Sequence, residues 1–212
     1  MRIFIGIDLD CEIRGRISLF LEAVRDLAPA ARWVRPESLH ITLKFIGEQP
    51  PERVEGIAEQ LRQIDASAFD IRFAGYGFFP TAKAPRVFWI GIHAGPLLAG
   101  LAGTIDASVA ELGIAREPRP YSPHLTLARG GTRSGSPQWR KGDGPNRTFA
   151  VLEKRCAARV ELDFGTLGFG TMTVHDFILY QSQLSSGGSK YAKLQSFPLR
   201  PVSSVAEAID KP

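Results

Sequence analysis

His40 and Thr42 stand two residues apart, and so do His124 and Thr126. In a strand, side chains two apart share a face about 7 Å from one another, so each pair sets an imidazole beside a hydroxyl. Each pair lies in a longer stretch, RPESLHITLKFIG from residue 35 and RPYSPHLTLARGG from residue 119, and the second follows the first by 84 residues with no gap. Arginine, proline, serine, histidine, threonine, leucine and glycine coincide. Unrelated segments of ordinary composition share about one position or none. The same offset lays RIFIGI from Arg2 over RVFWIG from Arg86, so that Phe4 falls on Phe88. The chain therefore reads as an internal duplication.

Two imidazoles and two hydroxyls brought to one cleft suit acid/base cleavage at phosphorus. Histidine titrates near neutrality, so one imidazole serves as base while the other, protonated, serves as acid. For a 2′,3′-cyclic phosphate, the base takes a proton from the attacking water and the acid gives one to the departing ribose oxygen. Threonine hydroxyls donate to the non-bridging oxygens, where the negative charge is held. The scheme needs no metal and no cofactor, and each motif offers a metal one nitrogen only. Simple alternation puts Lys44 on the His40 face and the uncharged Ala128 in the equivalent place; Arg129 reaches the phosphate if the strand twists at its end. His93 and His175, with no threonine two residues on, read as structural.

The elements that carry these residues follow from periodicity. Residues 2–8 are apolar at nearly every position, a buried strand. Ile13, Ile17, Phe20, Val24 and Leu27 recur at intervals of three and four, predicting a helix over 11–28. The motif strand at 39–46 leads through Pro50-Pro51 into a helix to about 64. A strand at 69–79 is expected to bend at Gly75 and Gly77. The second unit repeats strand (86–92), helix (96–112) and motif strand (123–128). A Gly/Ser/Pro-rich loop over 130–147 carries Arg133, Arg140, Lys141 and Arg147 around Trp139. A helix over 148–158, strands at 160–167, 171–183 and 191–199, and a turn at 185–189 complete the reading.

The 212 residues, 44% apolar and 23% charged, are those of a globular protein. No apolar run is long enough to span a bilayer, and the short apolar opening before Asp8 and Asp10 lacks a signal peptide's pattern. A cytoplasmic monomer is expected. Cys11 and Cys156 form no framework. No GxSxG and no complete GxGxxG is present. The net charge of +4 favours anionic partners, nucleic acid among them.

The paired HITLKF and HLTLAR resemble the two HxTx motifs of the two-histidine (2H) phosphoesterases, and within that superfamily the RNA 2′,3′-cyclic phosphodiesterase, or 2′-5′ RNA ligase, family. The likeness runs from RIFIGID through SLHITLKFIGE, GFFP, PRVFWIGI and SPHLTLARG to LYQSQLSSGGSKYAKLQSFPL. It implies an α+β fold of two pseudo-symmetric, mainly antiparallel lobes with outer helices and the active-site cleft between them. One two-lobed domain is expected over 1–200, with motif repeats near 2–47 and 86–131 and a tail without order over 201–212. By the resemblance, His40 matches the proton donor and His124 the acceptor. Thr42, Thr126 and Arg129 match the phosphate-binding residues, and the product is a 2′-phosphomonoester. Other readings are a small cyclic phosphate such as ADP-ribose cyclic phosphate as substrate, reversible 2′-5′ ligation, or a cleft that binds nucleotides or RNA without turnover.

Overall fold

A computed structural model describes residues 1–81, 85–130, 149, 152, 168–185 and 188–201. Strands β1 (Arg2–Asp8), β3 (His40–Glu48), β8 (Asp176–Ser185) and β9 (Gly188–Pro198) form one antiparallel sheet in the order β3-β1-β8-β9. A second antiparallel sheet runs β2 (Arg32–Trp33), β6 (His124–Arg129), β5 (Val87–His93), β4 (Phe69–Phe79) and β7 (Gly168–Val174). The order β6-β5-β4-β7 repeats β3-β1-β8-β9, with each motif strand paired to the strand that opens its unit. The architecture is the α+β pair of similar sheets expected from the duplication.

The sheets do not follow the order of the chain. β4 comes from the stretch between the two motifs, yet it extends the second sheet, while the first is completed by the C-terminal hairpin β8–β9. β1 is sandwiched, and Ile3 through Ile7 are all buried, which is why the sequence there is a continuous apolar run. Among the described residues, three α-helices cover the outer faces. α1 (Cys11–Val24) is capped by Asp10, whose carboxylate accepts from the Ile13 amide at 2.7 Å, and buries Ile13, Ile17, Phe20, Leu21 and Val24. α2 (Pro51–Arg62) starts on a proline and buries Ile57, Ala58 and Leu61; α3 (Gly95–Ala110) buries Leu98, Leu101, Ala102, Ile105 and Val109.

Some boundaries differ from the periodic reading. The helix from residue 11 ends at Val24 and passes into a 3₁₀ turn, Arg25–Leu27. Leu27 belongs to that tighter turn. The expected strand at 171–183 is two strands that meet at the exposed His175. β4 does bend where its glycines stand: its pairing with β5 shifts between Phe73 and Tyr76, and Gly75 takes φ +70°. The expected loop (apart from Gly130), the helix at 148–158 (apart from the buried Phe149 and Leu152), the strand at 160–167 and the tail after Pro201 lie outside the described residues. Among the described residues, no helix is long and apolar enough to cross a membrane.

Candidate active site

β3 and β6 lie against one another where the two sheets meet, and the Tyr121 hydroxyl crosses that seam to donate to the Thr42 carbonyl at 3.0 Å. Each motif strand offers its histidine and threonine on one half-buried face, with Ile41 and Leu43, or Leu125 and Leu127, buried on the other. The two histidines are held alike. His40 Nδ1 is 2.8 Å from the Ser38 carbonyl, and His124 Nδ1 is 2.8 Å from the Ser122 carbonyl. A carbonyl only accepts, so Nδ1 carries the proton in both rings and Nε2 of each neutral imidazole is left bare as a base. The serine two positions before each histidine recurs in the repeat; its part is played by the backbone.

Past the threonine both strands carry a bulge at the same place. β1 pairs Ile5 with Lys44 and then Gly6 with Thr42, skipping Leu43, while β5 pairs Phe88 with Ala128 and then Trp89 with Thr126, skipping Leu127. An extra residue inverts the alternation beyond it. Lys44 therefore leaves the His40 face, contrary to the alternating pattern. It is buried, its ammonium bonded to Asp106 of α3 at 2.5 Å and to the Ala115 carbonyl at 2.7 Å. By the same inversion Arg129 returns to the face of His124 and Thr126, with Phe45 at the equivalent place on β3, 61% exposed. Arg129 is the common neighbour of the site: its charge bears on both His40 and His124, and Tyr191 bears on Arg129 in turn.

The two histidines differ in what surrounds them. His40 sits in an aromatic wall, its ring centroid 4.7 Å from Phe4, 4.9 Å from Tyr191 and 6.0 Å from Tyr180. That burial, ahead of every other influence, pushes its pKa down to about 4. His124 has one ring edge-on, Phe79 at 4.9 Å, and its pKa is also lowered, again chiefly by burial. The residue opposite His40 on β1 is Asp8, whose carboxylate favours the imidazolium; opposite His124 on β5 stands Gly91.

This pairing corrects the overlay of Phe4 on Phe88. On the strands that flank the motifs the equivalence runs 83 residues, not 84: Asp8 matches Gly91, and Phe4 matches Val87. A one-residue slip exchanges the faces of a strand. Phe4 therefore packs on His40 while Phe88 lies in the core beside Trp33 and Phe78.

Asp8 is itself braced. Arg14 on α1 pairs with it and also donates to the carbonyls of Leu9 (3.1 Å) and Pro36 (2.5 Å), tying β1 to the 3₁₀ turn Pro36–Ser38 that delivers Ser38 and His40. Lys193 on β9 completes the cluster at 2.5 Å from Asp8. Asp8 closes β1 in the sequence without any sign that it faces His40, because that relation is set by register alone. His93 and His175 are exposed and take no part. Among the described residues, no group of three or more histidine, cysteine, aspartate or glutamate side chains is gathered as a metal would require.

Two repeated strands that meet at one seam each present a histidine and a threonine on a half-buried face, with the Arg129 guanidinium close enough to bear on both imidazoles. The sequence matches the family model of LigT-like phosphoesterases over residues 7–89. Over 197 residues it is 32% identical to the RNA 2′,3′-cyclic phosphodiesterase of Archaeoglobus fulgidus, covering 93% of this chain and 99% of that one. Over 211 residues it is 32% identical to the RNA 2′,3′-cyclic phosphodiesterase of Thermus thermophilus, covering 94% and 91%. The crystal structure of Escherichia coli LigT with 3′-AMP superposes with a TM-score of 0.70 at 25% identity, covering 93% of this chain and 97% of that one. The chain belongs to the LigT-like phosphoesterases, within the 2H superfamily.

Proposed function

We propose that this protein hydrolyses a 2′,3′-cyclic phosphate at an RNA end to the 2′-phosphomonoester. The observation that carries the reading is the duplicated pair of histidines, each fixed through Nδ1 to a serine carbonyl, on strands that share Arg129 as neighbour. The named activity of the relatives in Archaeoglobus and Thermus supports the substrate class.

In this reading His124, with Nε2 bare and no carboxylate opposite it, takes the proton of the attacking water. The new P–O bond forms as the bond from phosphorus to the ribose 3′ oxygen breaks. His40 Nε2–H gives its proton to that oxygen. Asp8 opposite His40 favours that ring as the acid, since it stabilises the charged form an acid must hold before reaction. In the free protein burial keeps His40 neutral at pH 7; the arriving phosphate anion raises its pKa, and the ring then takes up a proton from solvent. Thr42, Thr126 and Arg129 hold the non-bridging oxygens as charge moves through the transition state.

The test is a short RNA ending in a 2′,3′-cyclic phosphate, incubated with the protein in EDTA and followed by ³¹P NMR. A 2′-phosphate is expected, with turnover lowered about 10²- to 10⁴-fold in His40→Ala and in His124→Ala. Both variants are expected to melt cooperatively. Turnover like the unaltered protein's in either one overturns the assignment.

A further inference from the structure

Among the described strands, β2 alone has no counterpart in the other sheet. It is two residues long, pairing Arg32 with Arg129 and Trp33 with Ala128 along the outer edge of β6, and the Val34 amide continues the ladder to the Leu127 carbonyl at 2.8 Å. The corresponding stretch of the second repeat, residues 116 and 117, forms no strand and is tied instead to Asp106.

The register of β2 is pinned by Trp33. Its ring packs edge-on against Phe88 at 6.0 Å, its indole N–H donates to the Ala28 carbonyl at 3.0 Å, and its cross-strand partner Ala128 is fully buried. With Trp33 facing the core, Arg32 must face the other way, onto the surface that carries Arg129, Thr126 and His124. Residues directly opposite in an antiparallel pair have Cβ atoms about 5 Å apart, and like charges so placed repel. The Arg129 pKa is lowered, chiefly by burial, and the Arg32 charge adds to that lowering. Among the described residues, no carboxylate is paired with either guanidinium. Two cations set side by side across β2 and β6 on the face of the site, with no carboxylate partner among the described residues, are arranged for an anion that spans them.

Resting on the phosphodiesterase reading, we propose that Arg32 binds the RNA phosphate one nucleotide before the cyclic end and so makes the protein prefer an oligonucleotide to a mononucleotide. Arg129 reaches the reacting phosphate, whose single charge is already met by two imidazoles and two hydroxyls. Arg32 stands one strand beyond Arg129 and at the far end of β6 from His124, where the next phosphate of the chain passes. Its planar fork matches a phosphate's oxygens.

The experiment compares kcat/KM on a 2′,3′-cyclic mononucleotide and on a trinucleotide with the same cyclic end, for the unaltered protein, Arg32→Ala and Arg32→Glu. The unaltered protein should prefer the trinucleotide. Arg32→Ala should lose about tenfold on it, the worth of one charge-assisted hydrogen bond, and change by no more than about twofold on the mononucleotide. Arg32→Glu should lose more on the trinucleotide alone. The slope of log(kcat/KM) against log(salt) on the trinucleotide should become shallower by about 0.7 in Arg32→Ala. Its melting temperature should hold or rise, since a repulsion is relieved.

Equal losses on both substrates would place Arg32 on the reacting phosphate and overturn the proposal, as would no loss on either. If the unaltered protein cleaves neither substrate, the phosphodiesterase reading fails, and the Arg32 proposal is judged by binding. A fluorescent trinucleotide 2′-phosphate should then bind Arg32→Ala about tenfold more weakly, and an unchanged Kd rejects the proposal.

Discussion

Replacing Asp8 with asparagine keeps the side chain's shape and removes its charge from beside His40. The two residues are cross-strand partners, and the carboxylate favours the protonated ring. For charges about 6 Å apart, Coulomb's law gives about 0.7 kcal/mol in water and about 2.8 kcal/mol at the effective dielectric of a protein surface. The Asp8 side chain is 25% exposed, between those regimes, so the working figure is about 1.4 kcal/mol, or about one pKa unit. The assay is single-turnover cleavage of a cyclic-ended RNA across pH. The alkaline limb, where His40 loses its proton in the complex, should move about one unit lower, while the acid limb set by His124 stays. At pH above both limbs the rate should fall about tenfold; on the plateau it should barely change. Asp8 also holds Arg14 and Lys193, so the melting transition is recorded beside the rates. Arg14 keeps its backbone partners in the variant, the Pro36 and Leu9 carbonyls. An alkaline limb that does not move, in a variant that melts cooperatively, refutes both the coupling and the role of His40 as the acid.

Lys44→Met removes a buried ammonium and leaves Asp106 with Arg116 and the Glu117 amide. Urea unfolding should show a loss of about 3 kcal/mol. Cleavage by the folded variant at 25 °C should stay within about twofold, and a much larger drop would put Lys44 back in the site. Stability should also depend on pH through His40. Its pKa is about 4 in the folded chain against the ordinary 6.5, so between those values the unfolded chain binds a proton that the folded one refuses. Stability is therefore full above pH 6.5 and declines as pH falls toward 4. Urea midpoints at pH 4.5 and pH 7 should differ less in His40→Gln than in the unaltered protein, and equal differences would remove His40 as a source.

The candidate site was legible in the sequence where its logic is local. A period of two puts His40 with Thr42 and His124 with Thr126 on one face whatever the strands pair with, and the repeat marks both pairs as belonging together. The continuous apolar run of β1 and the spacing of Ile13, Ile17, Phe20 and Val24 likewise reveal a sandwiched strand and an amphipathic helix. What the sequence could not announce is every relation between strands far apart along the chain. Bulges at Leu43 and Leu127 send Lys44 into the core and bring Arg129 back to the histidines. Register sets Asp8 opposite one histidine and Gly91 opposite the other, giving a repeated sequence two unlike imidazoles. The docking of Trp33 adds β2, and with it Arg32, to the sheet of the other motif. Each of these turns on a pairing register, in which a slip of one residue reverses the face of every side chain, and register is fixed only when the whole core is packed.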